Sequence, residues 1–545
     1  MNQNKTEWLP DLPAEVVEGA RGHELCPYII ALEGWRRGLT LKWYTKESDK
    51  FDHMKVWYVD RPGRLFSLSS AERTHYFFRS RGDKVTNEAL EIGADKEKSK
   101  EWLTKAGVSV PKGRRFSAEV ENREIIEYAT QQIGFPLVVK PTDGSFGRGV
   151  VTKIETTEEL EVALILVRSE LQYPDVIVEQ FIPGHDYRLY VVGDKVVGAI
   201  QRIPANVIGD GSSTVQQLIE LKNEERKKNP RLFSCLIKID HEMNGVLEDA
   251  GYRVTSIPKK GEVVYLSEKS NISLGGDSID VLDQLSDEVK KTAVKAIQAV
   301  PDLYHGGVDI IIDPSKQPEG QAIVLELNPT SQLGSLVYPM TGKGRDVPGA
   351  IIDFYFPESV NRDKTNLYFD FKSVLQPLVS QTAIEVEVAP AQLGKIYAKK
   401  YRVVGAVQPV AFHQWLRKRA LEMGLNGFIS NITNESIDVV VAGVSSDSVN
   451  QYKEIIKLDP KKVEISEIQE ESWEKPVRIG FEIQAELKEI IAEIAKTRKE
   501  LESLEKKRNR VEQQYLALQE SRIWRLTLPF RKLLDIVKKV KRKVT

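Results

Sequence analysis

Two stretches decide how this chain reads: Gly306-Gly-Val-Asp-Ile-Ile-Ile-Asp313 and Ile323-Val-Leu-Glu-Leu-Asn328. Both have the apolar, β-branched character of buried strands, and they lie close enough to be neighbours in one sheet. Asp309 interrupts the first run. In the second, Glu326 and Asn328 fall on one face, because strand side chains alternate. Acids on apolar strands are costly unless a cation or a partner offsets their charge. Asp, Glu and Asn oxygens are hard ligands suited to magnesium held together with nucleotide phosphates. A structural salt bridge is the plainer reading of the same residues.

Upstream, Phe135-Pro-Leu-Val-Val-Lys140 reads as a strand ending in a lysine, followed at once by Pro141-Thr-Asp-Gly-Ser-Phe-Gly-Arg-Gly149. Gly144, Gly147 and Gly149, with Ser145 between them, would let backbone N–H groups approach an anion closely, and Lys140 would add a fixed charge. Such loops are often only turns. A second strand, Val176 to Phe181, carries Glu179 and leads to Asp186. Glu179 is placed to meet an adenine edge and Asp186 the ribose hydroxyls, although ordinary surface acids would look the same.

Taken in order, these segments resemble an ATP-grasp ligase, and most of all the ATP-grasp core of cyanophycin synthetases. Glutathione synthetases and D-alanine–D-alanine ligases share the layout. The resemblance also rests on Ala94-Asp-Lys-Glu-Lys-Ser-Lys-Glu-Trp-Leu103, on Arg202-Ile-Pro-Ala-Asn-Val-Ile-Gly-Asp-Gly211 and on Asn271-Ile-Ser-Leu-Gly-Gly-Asp277. It implies Lys96 and Lys140 on ATP phosphates and the segment Gly144 to Gly149 as the phosphate loop. It further implies Arg202 on the transferring phosphoryl group, and Asp309, Glu326 and Asn328 on one or two magnesium ions. The reaction implied is phosphorylation of a carboxylate by ATP, then attack by an amine to form an amide. Ser331 and Ser335, just after Asn328, are candidates for substrate contact.

Working outward, 545 residues exceed one ordinary core, and 41% hydrophobic with 29% charged residues fits folded globular domains. The expected class is α+β, in six segments. Residues 1–94 read as a small α/β domain, 95–357 as the ATP-grasp domain and 358–395 as a linker. Residues 396–484 have a βαββαβ rhythm, with strands at 396–404, 427–432, 436–442 and 478–484. The segment Tyr401-Arg-Val-Val-Gly-Ala-Val-Gln-Pro-Val-Ala-Phe-His413 with Asn431 resembles acylphosphatases. That family's phosphate loop uses glycines and an arginine after phenylalanine. Here Pro409, Ala411 and His413 stand in those places, so hydrolysis of acyl phosphates is not expected.

Residues 485–520 show a heptad through Leu487, Ile490, Ile494, Thr497, Leu501, Leu504, Arg508, Val511, Tyr515 and Leu518, which predicts a coiled coil and a homo-oligomer. A single charged helix is the alternative. The tail from Arg522 to Thr545 carries nine Lys/Arg and one Asp, a net +8, among Trp524, Phe530 and several aliphatic residues. That composition favours an anionic membrane surface over nucleic acid. Its Ser-x-x-Trp-Arg-Leu-Thr-x-Pro pattern weakly resembles tails of glycosyltransferases from surface-polysaccharide pathways. Two cysteines, no basic-apolar leader and no apolar run of about 18–20 residues predict a cytoplasmic enzyme, peripheral on the inner membrane face at most. Amino-acid or peptide substrates, ATP and Mg2+ complete the expectation. The alternative is a non-catalytic nucleotide-binding scaffold recruited to the membrane.

Overall fold

The computed structural model describes residues 6–142, 149–313, 322–407, 410–433, 435–458, 463–484, 497–508 and 510–511. The chain forms two compact units: Met1–Tyr397 with Glu474–Ile479, and Ala398–Trp473 with Gly480–Thr545.

The first unit begins with the helix Leu25–Arg36, whose sequence LCPYIIALEGWR is apolar nearly all round and whose residues are all buried. Such a helix can only sit inside a core. Its Gly34 is required by close approach, since a Cβ there would lie 2.5 Å from Leu68. It packs on an antiparallel sheet in the order Glu385–Glu387, Thr40–Tyr44, Leu65–Ser69, Thr74–Phe78, Arg81–Gly82. The stretch read as a linker, 358–395, thus supplies that sheet's edge strand, and its helix Phe371–Val379 buries Phe371, Leu375 and Leu378. Aromatic and leucine positions in an apparently polar connection were the signal for this.

Two further sheets carry the candidate site. One has four antiparallel strands, ordered Gly113–Phe116, Val176–Gln180, Leu137–Pro141, Val151–Ile154. Strand alternation sends Val139, Val176 and Val178 into a core with Ile125, Leu160 and Ala163 from two helices. It sends Lys140, Ile177 and Glu179 to the other face. Each of those helices ends in a π-helical turn, Ala129–Ile133 and Ile165–Glu170, inside the spans expected to be helical.

The second sheet has five strands, ordered Asp277–Asp280, Lys195–Ile203, His185–Val192, His305–Ile312, Ala322–Asn328. The helix Asp287–Gln298, capped by Ser286 with Asp287 and Glu288 in its first turn, covers one face. Val289, Ala293 and Ile297 pack there on Leu189, Val191, Val308, Ile310 and Val324. The opposite face is polar. The strand Lys195–Ile203 and the edge Asp277–Asp280 were not anticipated. Their polar positions break the apolar run, because only one face is buried.

In the second unit the sheet order is Ile465–Ser472, Tyr397–Gly405, Ser436–Gly443, Asn426–Ser430, Phe481–Ile483, with helices Val410–Glu422 and Ser446–Lys457 against its core. The unexpected strand is Ile465–Ser472. It is an edge strand, largely exposed and rich in Glu, so it lacks the apolar signature that flags buried strands. Residues 497–508 are helical and exposed, including Leu501 and Leu504. The remaining heptad positions, apart from Val511, and the basic tail lie outside the described residues.

Candidate active site

Five of the polar groups that the sequence singles out converge on the polar face of the five-stranded sheet. Register explains it. Asp186 pairs with Arg202 across one strand boundary, Arg188 with Asp309 across the next, and Asp309 with Glu326 across the third. A β-bulge between Asp309 and Ile310 re-aims the strand at that point. Asn328, two residues beyond Glu326, donates to its Oε1 at 3.2 Å.

Asp309 is not an unpartnered acid. Arg188 binds it bidentately, Nε to Oδ1 at 2.7 Å and Nη2 to Oδ2 at 2.7 Å. Arg202 reaches the same Oδ2 at 3.0 Å and also holds Asp186 at 2.8 and 2.6 Å. Burial alone would raise the Asp309 carboxyl, but the two guanidinium groups win and hold it well below the usual range. Asp186, with burial and the Asp309 charge against it and less help from Arg202, is pushed up to about 6. Burial and the adjacent Asp309 push Glu326 up as well. Arg202 loses to burial less than it gains from its carboxylates, and stays cationic.

Glu326 therefore sits where a second negative charge is disfavoured beside Asp309. A divalent cation shared by the two carboxylates, with the Asn328 amide oxygen added, would relieve that repulsion. The donor set of hard oxygens fits magnesium. Among the described residues no group of three or more His, Cys, Asp or Glu is placed to hold a metal ion.

On the four-stranded sheet, Glu179 is buried at 6% exposure and accepts from both Lys140 and Lys100, the latter at 3.4 Å. Burial disfavours its charge, yet the two ammonium groups keep it ionised below the ordinary value. Burial and Lys140 push the Lys100 ammonium down despite Glu179. These groups line a cleft of about 770 Å³ with Lys96, Ile177, Gly113 and Leu325. Gly113 has φ +148, and a Cβ there would lie 2.3 Å from the Val178 carbonyl, so the backbone must approach closely. Lys96, the first residue of the helix Lys96–Lys105 that Asp95 caps, borders this cleft and a smaller one of about 170 Å³ containing Glu326 and Asn328.

The structure thus gathers Lys96, Lys140 and Glu179 at one cleft, and Asp186, Arg202, Asp309, Glu326 and Asn328 on one sheet face. Asp186 faces Arg202, and it does not line the Lys140 cleft. Gly144, Ser145 and Gly147 lie outside the described residues, while Gly149 has φ +74 and packs at Pro141. Two residues were missed. Lys100 is one helical turn from Lys96, and Arg188 is one strand repeat from Asp186, so both periodicities were legible.

Comparison with known proteins bears on this arrangement. Residues 93–227 match the RimK-like ATP-grasp domain. The chain carries an ATP-grasp domain. Residues 399–483 match acylphosphatase. The chain is 33% identical over 328 residues to cyanophycin synthetase of Nostoc sp., covering 59% of this chain and 34% of that protein. It is 31% identical over 318 residues to the glutathione biosynthesis bifunctional protein GshAB of Enterococcus faecalis, covering 56% and 41%. A solved bifunctional glutathione synthetase from Pasteurella multocida is 27% identical, with TM-score 0.43, over 54% of this chain and 41% of that one. The chain spans 31% to 41% of the length of the curated relatives it matches.

In the acylphosphatase-like unit, His413 is buried and its Nε2 bonds the Val407 carbonyl at 2.8 Å. Burial lowers its basicity, so the ring is a neutral hydrogen-bonding group turned onto the loop's own backbone. Asn431, at φ 50, donates to Asp438 at 2.7 Å. Pro409 lies outside the described residues.

Proposed function

We propose that the chain is an ATP- and magnesium-dependent carboxylate–amine ligase that adds amino acids to a bacterial cell-surface polymer or peptide. The observation that carries this reading is the union of the Lys100–Glu179–Lys140 cleft with the Arg188–Asp309–Glu326 face in one unit that contains the ATP-grasp match. Lys96 and Lys140 would meet phosphates, Glu179 the adenine side and Asp186 the ribose side. Asp309, Glu326 and Asn328 would hold Mg2+, which supplies charge neutralisation at the phosphates.

A substrate carboxylate oxygen attacks the γ-phosphorus and ADP leaves, giving an acyl phosphate. The amine nitrogen then attacks the acyl carbon, inorganic phosphate departs, and the amine gives up a proton. Arg202, fixed by Asp186 and Asp309, presents a permanent cation where charge develops on the phosphoryl oxygens. Arg188 keeps Asp309 ionised and aimed.

The acylphosphatase-like unit serves substrate or partner docking in this reading, because His413 offers no guanidinium to phosphate. The heptad supports a homo-oligomer and the basic tail a site of action at the inner membrane face. No helix among the described residues is long and apolar enough to cross a membrane.

The experiment is ADP release from Mg-ATP with pools of carboxylates and amines. Release that requires both co-substrates, with an amide product by mass spectrometry, is expected. ATP binding without ADP release in every mixture would favour a nucleotide-binding scaffold.

A further inference from the structure

On the face of the five-stranded sheet opposite Arg202 lies a cleft of about 920 Å³ that the ligase reading does not use. Gln201 and Ile203 flank Arg202 in the strand Lys195–Ile203, so alternation turns them to that face, beside Ile279 of the edge strand Asp277–Asp280. The opposite wall is a two-stranded ribbon, Asn206–Ile208 with Val263–Tyr265. Val207 and Val264, its inner pair, are buried in a core with Leu218 and Ile219. Its outer face therefore presents Ile208, Val263 and Tyr265 to the cleft, and all three are exposed. Among the described residues, none lines both this cleft and the one between Lys100 and Lys140.

The charges around this cleft are satisfied within the fold. Lys222 Nζ donates to Asp277 Oδ2 at 2.6 Å and to the Asn206 carbonyl and Oδ1 at 2.8 and 3.1 Å, which uses all three of its protons. Arg226 holds the other oxygen of Asp277 at 3.0 Å. Arg345 binds Asp280 bidentately at 2.8 and 2.6 Å and Asp283 at 3.0 and 2.9 Å. Lys343 stands 3.7 Å from Asp283. A phosphate or carboxylate entering here meets no cation that lacks an acidic partner.

Strand addition by a peptide is closed off as well. Met340 N–H donates to the Ser278 carbonyl at 2.8 Å, and Asp280 N–H donates to the Thr341 carbonyl at 3.0 Å. The outward backbone groups of the edge strand are therefore taken. What the cleft still offers is neutral: the side-chain amides of Gln201 and Gln284 and the hydroxyl of Tyr265, none hydrogen-bonded among the described residues. Beside them stand one half-exposed aromatic ring and two aliphatic side chains.

Uncharged donors and acceptors next to an aromatic face match a ligand that has many hydroxyls, apolar C–H faces and no charge. Pyranose rings have all three properties, and the volume lies within the roughly 300–1,000 Å³ of sites that enclose a small ligand. We propose that this cleft binds a neutral oligosaccharide, with Tyr265 as the stacking platform and Gln201 and Gln284 as the amides that pair with its hydroxyls. The site goes beyond the ligase reading and does not depend on it.

Calorimetric titration of the full chain with maltotetraose, cellotetraose and tetra-N-acetylchitotetraose tests it. At least one of the three is expected to bind with a Kd of about 1 mM or lower. That affinity should fall at least about tenfold in Tyr265→Ala and return in Tyr265→Phe, with Mg-ATP affinity and melting temperature unchanged. Gln201→Met, which removes an amide at similar volume, supplies the same loss should Tyr265→Ala not fold. Tetragalacturonate, of equal length with four carboxylates, and tetraalanine should both bind more weakly than the best neutral saccharide. Absence of binding by all three saccharides, an affinity that survives in both folded variants, or tighter binding of tetragalacturonate or tetraalanine would overturn the proposal. ADP release from Mg-ATP with carboxylates and amines reads the ligase separately, so each reading can fail without the other.

Discussion

Arg188 and Asp309 face each other on neighbouring antiparallel strands and are joined by two parallel hydrogen bonds of 2.7 Å each. Asp309 is 2% exposed, so its charge survives inside the sheet because of this partner and the third bond from Arg202. The pairing keeps a buried oxygen ligand ionised while leaving Glu326, its other neighbour, short of compensation.

Removing Arg188 tests that dependence. Arg188→Met should cost about 3 kcal/mol of stability, since breaking one side of a buried pair leaves the other charge poorly compensated. Chemical denaturation measures it. ADP formation should fall at least about tenfold in the same variant, as an electrostatic contact at the phosphoryl site is weakened.

Glu326→Gln keeps the shape and removes the second carboxyl. Turnover should drop at least about a hundredfold, the scale of losing a key electrostatic group. Because Glu326 is raised by burial and Asp309, its ionisation opposes folding above its ordinary range. The metal-free variant should therefore melt no lower than the wild type at pH 8. A melting temperature well below wild type, or retained turnover, would count against the metal assignment.

Lys100 reaches Glu179 from the helix that Lys96 begins. Lys100→Met should weaken Mg-ATP binding about tenfold, equivalent to ~1.4 kcal/mol. The exposed Lys98→Met on the same helix should leave it unchanged. Calorimetric titration of both variants distinguishes a local contact from a general loss of positive charge.

His305 gives the clearest pH dependence. It is fully buried between Tyr190 at 3.0 Å and Tyr355 at 3.1 Å, and burial lowers its pKa to about 4 from 6.5. The unfolded chain binds the proton first, so this contribution is complete above pH 6.5 and is lost as pH falls toward 4. From pH 7 to pH 5 the loss should be about 2 kcal/mol. Asp186, raised to about 6, runs oppositely, stabilising below about 4 and losing that as pH rises to 6. His305→Gln should flatten the first slope and Asp186→Asn the second, in unfolding titrations without metal.

Leu501 and Leu504 are 57% and 60% exposed on the helix 497–508. If that stripe is a self-association seam, Leu501→Glu/Leu504→Glu should shift the full chain to a smaller species in analytical ultracentrifugation. Turnover per chain should be unaffected, because both side chains are exposed.

Much of the candidate site was legible. Period-two alternation puts Glu326 and Asn328 on one face, and the Asp95 cap with Gly107 bounds the Lys96 helix. Edge strands were less legible. Ile465–Ser472 and Asp277–Asp280 bury little and so carry weak apolar patterns. The strand Glu385–Glu387 is recognisable only by its pairing with Thr40–Tyr44, which is long-range and leaves no local trace.

By itself the sequence determined the order of the strands' chemistry: which residues are acids on apolar runs, where lysines end strands, where glycines permit close backbone approach. These are local facts, set by alternation, capping and sterics. Only the tertiary structure decided who neutralises whom. Asp309 belongs to Arg188 and Arg202, Glu179 to Lys140 and Lys100, and Asp186 to Arg202, because charges in a poorly screened interior pair with whatever the register brings within 3 to 4 Å. Arg188 and Asp309, 121 residues apart along the chain, meet only across that register. No local pattern could gather them there.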